Sequence, residues 1–178
     1  RVPNDQRLTV IWNYLKRRNA SPRRIQRTCE LTDFHPFFIE RIGELVKIEN
    51  QLEKVKKNIP KNILLRAKHN GFGDSHISHL TGKKEETIRN QRKKMKITSS
   101  FLMVDTCAGE FEAKTPYFYS TYSDQKSEYK IGESIVILGS GPIRIGQGIE
   151  FDYSTVHGVQ AVRKAGYEAV VVNNNPET

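Results

Sequence analysis

The sequence predicts an α plus α/β protein, in which an all-helical domain precedes the first βαβ unit of a parallel, Rossmann-like sheet. In the first 100 residues apolar side chains recur at intervals of three and four, which is typical of amphipathic helices. Further on, residues 135–138 and 169–172 are continuous apolar runs, typical of strands that are buried on both faces of a parallel sheet. Residues 154–165 between these runs have a helical pattern that ends at Gly166, where glycine readily adopts the left-handed cap.

Start signals divide the first 100 residues into six predicted helices. A polar cap or a proline at the first helical position favours a helix start. These signals are Asn4 or Asp5, Ser21 with Pro22, His35 with Pro36, Pro60, Asp74 or Ser75, and Lys83. The third helix has a regular apolar stripe that includes Phe38, and such a stripe indicates core or contact with a partner.

Composition excludes several classes of protein. Of 178 residues, 37% are hydrophobic and 28% are charged, which fits one or two domains of a water-soluble protein. No run approaches the roughly 20 apolar residues that cross a bilayer, and no secretory signal opens the chain. Cys29 and Cys107 are far apart in sequence, which favours free thiols in the cytoplasm over a disulfide framework.

The net charge of +9 is concentrated in one helical stretch. Residues 53–96 hold 13 basic and 4 acidic residues, whereas the remainder of the chain is neutral. Such a stretch is typical of a solvated face, of a face that meets an acidic neighbour, or of a nucleic-acid-binding patch. The charge pattern therefore leaves open two functions for this stretch, a protein-interaction module and a basic helix-turn-helix module that binds nucleic acid.

The helix-turn-helix alternative depends on residues 74–96. Thr81 and Gly82 form a turn between two short helices, and the second helix carries four basic residues, Arg89, Arg92, Lys93 and Lys94. Against DNA binding, Glu85 and Glu86 lie in the first turn of that helix, where phosphates would repel them. Two acids there suit the positive end of a helix dipole.

A glycine-rich loop follows the first apolar strand, in the sequence GSGPIRIGQGIEFDY at residues 139–153. A loop between a strand and a helix can direct free N–H groups at an anion. The spacing differs from the dinucleotide fingerprint G-x-G-x-x-G, because the glycine after Gly139 and Gly141 is Gly146 rather than residue 144. The glycines are therefore weaker evidence than the whole string.

That string resembles the loop that opens the second half of the large subunit of carbamoyl-phosphate synthase. VNNNPET at residues 172–178, VDTCAGEFEAKTPY at residues 104–117 and YSTY at residues 119–122 are similar to the same family, with Gly109 where the family has alanine. PNDQR and LTGK, which begin at Pro3 and Leu80, resemble the family's helical oligomerisation domain more loosely. The resemblance is strong over residues 103–178.

The resemblance implies a division of the chain into three segments. Residues 1–100 would be the helical oligomerisation domain, residues 101–132 an aromatic-rich linker, and residues 133–178 the truncated start of the second pre-ATP-grasp domain. The first residue is not methionine and the last residues follow a strand, so we expect an internal fragment of a large subunit. The ATP-grasp body has no counterpart in the sequence, and the fragment alone is predicted to be inactive.

For the intact enzyme the resemblance implies an ATP-dependent ligase. It would make carbamoyl phosphate from bicarbonate, ammonia released from glutamine, and two ATP, and would serve arginine and pyrimidine synthesis. The cofactors would be ATP, magnesium or manganese, and potassium as a further ion. The partners would be the remainder of the large subunit, a small glutaminase subunit or domain, and further copies of the chain, with no nucleic acid and no membrane.

The resemblance also implies roles for residues of the loop. Glu150 would line the inner passage for carbamate between two phosphorylation sites; alternatively, its charge stabilises the start of the following helix. Arg144 and Gln147 would contact a phosphate, a carbamate or a backbone carbonyl. The glycine loop itself comprises Gly139, Gly141, Gly146 and Gly148. We expect no catalytic residue and no metal ligand within this chain.

Overall fold

The computed structural model describes residues 4–17, 19–112, 117–127, 132–139 and 149–172, with only the backbone of residues 149–152. The chain divides into two compact units, Arg1–Glu128 and Tyr129–Thr178. The first unit holds six helices and a two-stranded ribbon within its described residues, and the second holds two strands and a helix.

The six predicted helices are all present in the first unit. They are α1 (Arg7–Lys16), α2 (Pro22–Thr32), α3 (Pro36–Glu53), α4 (Lys61–His69), α5 (Asp74–Thr81) and α6 (Glu85–Lys94). Proline occupies the first position of α2 and α3, where no intrahelical N–H bond is lost. The nitrogen Nδ1 of His35 caps α3 by accepting from the Phe37 N–H.

The long helix α3 contributes to two apolar cores in this unit. Its first half packs with α1 and α2 around Leu15, Ile39 and Val46, which are buried. Its second half packs with α4, α5 and α6 around Leu52 and neighbouring isoleucines and leucines. At Gly43 the absence of a side chain lets α2 approach, because a Cβ atom there would lie 3.1 Å from Cδ1 of Ile25.

An antiparallel ribbon completes the first unit. Strands β1 (Ser100–Met103) and β2 (Phe118–Thr121) pair with Ser100 opposite Thr121 and Met103 opposite Phe118. Tyr122, the residue after β2, packs against the core of α3 to α6. Part of the predicted aromatic linker is therefore strand, and it contacts the helical core.

The second unit has the order strand, helix, strand. Strands β3 (Ser134–Leu138) and β4 (Glu168–Val172) are parallel, and α7 (Ile149–Lys164) connects them and packs on both. This arrangement confirms a short parallel sheet after a helical region, as the sequence predicts. Side chains on the strands remain exposed, including Val136 and Leu138, since two strands and one helix cannot cover both faces of a sheet.

Several local predictions were wrong. Helix α7 begins at Ile149 instead of Ser154. Helix α5 has Gly73 as its N-cap, and Asp74 is its first helical residue. For the apolar stripe of α3 the sequence left core and partner contact open; Phe38 is 56% exposed and lies outside the core, because the buried stripe passes through its neighbour Ile39.

Candidate functional sites

The edge of the sheet at which β3 and β4 end is the first candidate site. The Gly139 N–H donates to the Val172 carbonyl at 2.8 Å, one step past the paired strands. Gly139, the first residue of the glycine-rich sequence, therefore lies beside Val172, the last residue of β4. Ligands of open parallel sheets bind beyond the carboxyl ends of the strands, so this edge has the right location for a ligand site.

Few of the predicted loop residues lie within the described part of the chain. Gly139, the residue after β3, is the last described residue before the loop, and Glu150 is the second residue of α7. Arg144, Gln147, Gly141, Gly146 and Gly148 lie outside the described residues. Their roles remain predictions, as does the role of Glu150.

Helix α7 packs closely on β3 through a glycine. A Cβ atom at Gly158 would lie 3.8 Å from Cδ1 of Ile137, which is an ordinary van der Waals distance. One turn earlier, the rings of Tyr153 and His157 lie 4.2 Å apart between centroids. His157 therefore has an aromatic neighbour, and nothing in this contact indicates a ligand.

The second candidate site is a group of charges that we call the Asp74 cluster: Lys68, Asp74, Arg92 and Tyr122. Oδ1 of Asp74 accepts from Lys68 Nζ at 2.8 Å, and Oδ2 accepts from Arg92 Nε and Nη2 at 3.1 and 3.0 Å. Lys68 also donates to the Phe72 carbonyl at 2.8 Å. Because the Lys68 and Asp74 side chains are only 6% and 12% exposed, little water competes for these bonds.

Tyr122 places an aromatic ring beside both cations of the cluster. Nζ of Lys68 lies 4.8 Å from the ring centroid, and Cζ of Arg92 lies 5.6 Å from it. These distances fall within the range of cation–π attraction, which is stronger where the cation is shielded from water. The cluster therefore joins α4, α5, α6 and the end of β2.

The environment of Asp74 favours its ionised form. Burial opposes the charge of its carboxyl group, but hydrogen bonds from Lys68 and Arg92 outweigh burial and lower the pKa of Asp74 below its ordinary value. A carboxylate that neutralises two buried cations stabilises the fold and has no free oxygen directed at a ligand. We therefore interpret the Asp74 cluster as structural.

The cluster changes the helix-turn-helix interpretation. Helices α5 and α6 and the Thr81–Gly82 turn are present as predicted, with Gly82 at a φ of 66°. Arg92, however, is held inside the unit and only 13% exposed, and Gln91 donates to the Ile59 carbonyl at 2.6 Å. Two residues of the supposed recognition helix are therefore occupied by internal contacts, which weakens the case for DNA binding.

A second buried carboxylate, Glu49, connects α3 with α1 and α5. It accepts from Trp12 Nε1 at 3.2 Å, and it pairs with Lys16 at 3.0 Å and with His76 at 3.3 Å. The Lys16 ammonium also pairs with Glu53 at 2.8 Å, and chiefly this bond raises the pKa of Lys16. Glu49 thus lies between the two apolar cores and holds three helices together.

An open groove of about 790 Å³ lies beside α1 and α2. Its lining includes Tyr14, Arg24, Arg27 and Glu30. Arg24 lies over the Tyr14 ring and donates to the Tyr14 carbonyl at 3.1 Å, while Arg27 pairs with Glu30 at 3.1 Å. The groove is shallow and polar, unlike the mostly apolar, enclosed sites that bind small molecules.

Two negative findings apply to the described residues alone. Their helices do not combine the length and apolar content that a membrane crossing requires. Nor do they contain a cluster of three or more His, Cys, Asp and Glu side chains suited to a metal ion.

Comparison with known proteins matches both units separately. Residues 1–96 match the family model of the carbamoyl-phosphate synthetase large chain, oligomerisation domain. The chain belongs to the carbamoyl-phosphate synthase large chain family. Residues 132–178 match the carbamoyl phosphate synthase preATP-grasp domain. The resemblance inferred from the sequence is confirmed, and the family match extends to the helical part as well as the glycine-rich part.

A curated relative covers nearly the whole chain. The carbamoyl phosphate synthase arginine-specific large chain of Bacillus subtilis (strain 168) is 45% identical over 180 residues, which is 99% of this chain. The same alignment covers 17% of the relative. The chain thus spans about a sixth of the length of a large chain in this family.

Sequence reasoning missed the Asp74 cluster, although a signal for it exists. Asp74 is the only acidic residue between Lys54 and Lys84, in a segment with eight basic residues. A lone acid within a basic helical segment is a natural partner for two of those cations. Tyr122 could not be found in this way, because it lies 30 residues after Arg92 and no spacing rule connects them.

Proposed function

We propose that this chain is the assembly and junction segment of a carbamoyl-phosphate synthase large chain, an ATP-dependent ligase. This proposal rests on one observation: the oligomerisation-domain and preATP-grasp matches follow each other in one chain, and nearly all of that chain aligns with 17% of a large chain. The structure supports this division, since a helical unit precedes a parallel strand–helix–strand unit. The free thiols Cys29 and Cys107 agree with a reducing cytoplasm.

The reaction of the complete enzyme is part of this proposal. One ATP would activate bicarbonate as carboxyphosphate with release of ADP, and ammonia would displace phosphate to give carbamate. A second ATP would phosphorylate carbamate to carbamoyl phosphate. A glutaminase partner would supply the ammonia, and the name of the Bacillus relative favours arginine synthesis as the route served. Pyrimidine synthesis is the broader expectation.

The cofactors belong to the complete enzyme and not to the described residues. ATP with magnesium or manganese would supply phosphoryl transfer, and potassium would be an additional ion. Within the part of the chain that the structure describes, the carboxylates of Asp74 and Glu49 are paired with cations of the fold, and no group of three or more His, Cys, Asp and Glu side chains is suited to a metal ion.

The first test of the proposed function is biochemical. The complete large chain that carries this segment, combined with a glutaminase partner, should make carbamoyl phosphate from bicarbonate, glutamine and ATP. The 178-residue chain alone should neither catalyse the reaction nor bind ATP in calorimetry. The proposal would be contradicted if the complete large chain made no carbamoyl phosphate in this assay. It would also be contradicted if the 178-residue chain bound ATP with a micromolar dissociation constant.

Glu150 is proposed to line the carbamate passage at the start of α7. Glu150→Ala in the complete enzyme should lower carbamoyl phosphate output while bicarbonate-dependent ATP hydrolysis continues. The control is Glu133→Ala, an exposed carboxylate of the same unit that precedes β3. If Glu150 only stabilises the helix start, the variant will lower the melting temperature and leave the ratio of product to ATP hydrolysed unchanged.

A further inference from the structure

The open groove beside α1 and α2 carries positive charge that the fold does not neutralise. Three arginines of α2 line it, Arg23, Arg24 and Arg27, together with Tyr14 of α1 and one acid, Glu30. Glu30 pairs with Arg27 at 3.1 Å, so two guanidinium groups of the lining have no carboxylate partner among the described residues. We call this feature, with the residues that line it, the α2 groove.

The sequence around the α2 groove is basic as well. Residues 16–27 contain six basic residues and no acidic residue. The first of them, Lys16, pairs with two glutamates of α3. Arg23, by contrast, is exposed, and its side chain makes no hydrogen bond or ion pair with a described residue. A local excess of one charge steers and orients a partner of the opposite charge.

Arg24 is held in place before any ligand arrives. Its Nη1 donates to the Tyr14 carbonyl at 3.1 Å, and its Cζ lies 4.8 Å from the centroid of the Tyr14 ring. A guanidinium group has five N–H donors in one plane, so one bond to Tyr14 leaves most of them for a ligand. A side chain that is already ordered loses little conformational entropy when it binds.

The Arg27–Glu30 pair does not block the groove. Its side chains are 58% and 50% exposed, and surface ion pairs of this kind are weak. A carboxylate of a ligand can therefore take the place of Glu30. The planar guanidinium group binds a carboxylate through two parallel N–H bonds, which gives such a contact a defined geometry.

Arg23 and Arg27 set the spacing that a ligand must match. They are four residues apart in α2, so both lie on one side of the helix, with Cβ atoms roughly 6 Å apart. In an extended peptide alternate side chains point the same way and are about 6.6 Å apart, because the chain rises about 3.3 Å per residue. Carboxylates at alternate positions of an extended peptide therefore match these two arginines.

We propose that the α2 groove binds an extended acidic segment of a partner protein, with glutamate or aspartate at alternate positions. Small molecules favour enclosed and mostly apolar cavities, whereas an open polar groove leaves room for a chain that continues at both ends. The carboxylates of the segment pair with Arg23, Arg24 and Arg27. This interaction goes beyond the proposed function, because it requires neither a nucleotide nor the ligase reaction.

The exposure of the arginines sets the expected strength. A few charge-assisted contacts at a solvent-exposed surface predict a dissociation constant on the order of 100 μM at about 20 mM salt. At about 300 mM salt the binding should be at least about 10-fold weaker, since salt screens exposed charges.

Fluorescence anisotropy of a labelled peptide tests the proposal. The probe has four glutamates that alternate with serines, and it is titrated with the 178-residue chain at about 20 mM salt. Arg23→Gln combined with Arg27→Gln should weaken binding at least about 10-fold, because glutamine suits a helix but carries no charge. Circular dichroism checks that the variant keeps its helices.

The matched control combines Arg89→Gln with Lys93→Gln. These two residues are also exposed, basic and four apart, but they lie on α6, in the most basic stretch of the chain. Both double variants lose the same net charge, and the control should bind within about 2-fold of the wild-type chain. An equal loss in both would overturn the proposal, since the peptide would then respond to net charge alone.

The order of residues in the peptide provides a second test. A peptide of the same composition with its glutamates in adjacent pairs should bind about 3-fold more weakly, because neighbouring side chains of an extended chain point in opposite directions. Equal binding of the two peptides would overturn the proposed match between the peptide and α2.

Two further results would overturn the proposal. The first is no binding of the glutamate peptide at roughly 1 mM chain, ten times the expected dissociation constant. The second is binding of a phosphoserine peptide of the same length without binding of the glutamate peptide, which would assign the α2 groove to phosphorylated ligands. The carbamoyl phosphate assay contains no peptide, so the proposed function is tested separately.

Discussion

Asp74 shows how one side chain can hold several elements of the first unit in place. Its carboxylate accepts from Lys68 and Arg92, and all three side chains are largely shielded from water. Removing one member of a buried ion pair leaves the other charge without compensation. The cluster is thus more important for the integrity of the fold than the exposed pair Arg27–Glu30, which belongs to the class of weak surface salt bridges.

Asp74→Asn should lower the free energy of unfolding by about 3 kcal/mol, because Lys68 and Arg92 would remain buried without a negative partner. Urea denaturation at pH 7 measures this change. Asp124→Asn, at an exposed aspartate of the same unit, is the control and should change stability by less than about 0.5 kcal/mol. Equal stability of the two variants would contradict the importance given to the cluster.

The environment of Asp74 also predicts that the stability of the fold depends on pH. The pKa of Asp74 is lower in the folded chain than in the unfolded chain, so the unfolded state takes up the proton first. The stabilisation is complete above about pH 5 and is lost as the pH falls below about 4, towards the folded pKa. Melting curves from pH 7 to pH 2.5 should converge for the wild-type chain and Asp74→Asn at the acid end. Curves that stay parallel would contradict this prediction.

Two helical glycines should respond in opposite ways to the same substitution. Gly43→Ala should destabilise the first unit, because its Cβ would lie 3.1 Å from Cδ1 of Ile25 and 3.3 Å from Cβ of Ala20. Gly158→Ala should stabilise α7 by about 0.5–1 kcal/mol, since the new methyl group would have an ordinary distance to Ile137. Thermal melts of both variants measure whether each substitution raises or lowers the melting temperature. A loss of stability in Gly158→Ala would show that α7 lies too close to β3 to accommodate a methyl group.

At the scale of elements, the ribbon of β1 and β2 depends on Tyr122 for its attachment to the helices. The Ser100 hydroxyl also donates to the Gln125 carbonyl at 2.7 Å, which closes the open end of the ribbon. Each strand has only four paired residues, and a two-stranded ribbon by itself is marginally stable, so its contact with the helices matters.

Tyr122→Leu should therefore loosen the ribbon, since leucine retains apolar contact but offers no ring to Lys68 and Arg92. The expected loss of stability is about 1–2 kcal/mol, and Tyr122→Phe should lose much less. Hydrogen exchange of residues 118–121 provides the local measurement. Tyr119→Leu, at a residue that is 49% exposed, is the control. Equal effects of leucine and phenylalanine at position 122 would exclude the cation–π contribution.

The elements differ in how well the sequence predicts them, for physical reasons. The six helices of the first unit follow from local signals such as Pro22 and Pro36, because a helix start depends on a few adjacent residues. The pairing of β1 with β2 joins residues 15 or more apart in sequence, and no local pattern encodes it. The sequence left Phe38 open between core and partner contact, because periodicity alone cannot distinguish a core stripe from a surface stripe shifted by one residue, and the structure places this side chain outside the core.

The candidate site at the edge of the β3–β4 sheet was also predicted only in part from the sequence. The strand, the glycine-rich loop and the following helix were found from the sequence, and the structure brings Gly139 beside Val172 as parallel strands require. Roles for Glu150, Arg144 and Gln147 depend on the family resemblance, because the glycine spacing differs from the dinucleotide fingerprint. The roles of these three residues are tested by activity assays of the complete enzyme.

At the scale of the whole molecule, the two units differ in the way that each forms a core. The first unit encloses two clusters of buried apolar side chains around α3, whereas strands β3 and β4 of the second unit leave Val136 and Leu138 at least half exposed. A unit of about 50 residues buries too small a share of its surface to be very stable. We therefore expect the units to differ in stability.

Denaturation of the 178-residue chain should show two transitions. Trp12 is the only tryptophan and lies in the first unit, where its indole donates to Glu49, so its fluorescence reports that unit alone. Circular dichroism reports the helices of both units. The transition at lower urea, in which the second unit unfolds, should be visible by circular dichroism and absent from the fluorescence. Gly158→Ala should shift only this first transition and Gly43→Ala only the second. Coincident transitions by both probes would show instead that the two units unfold as one.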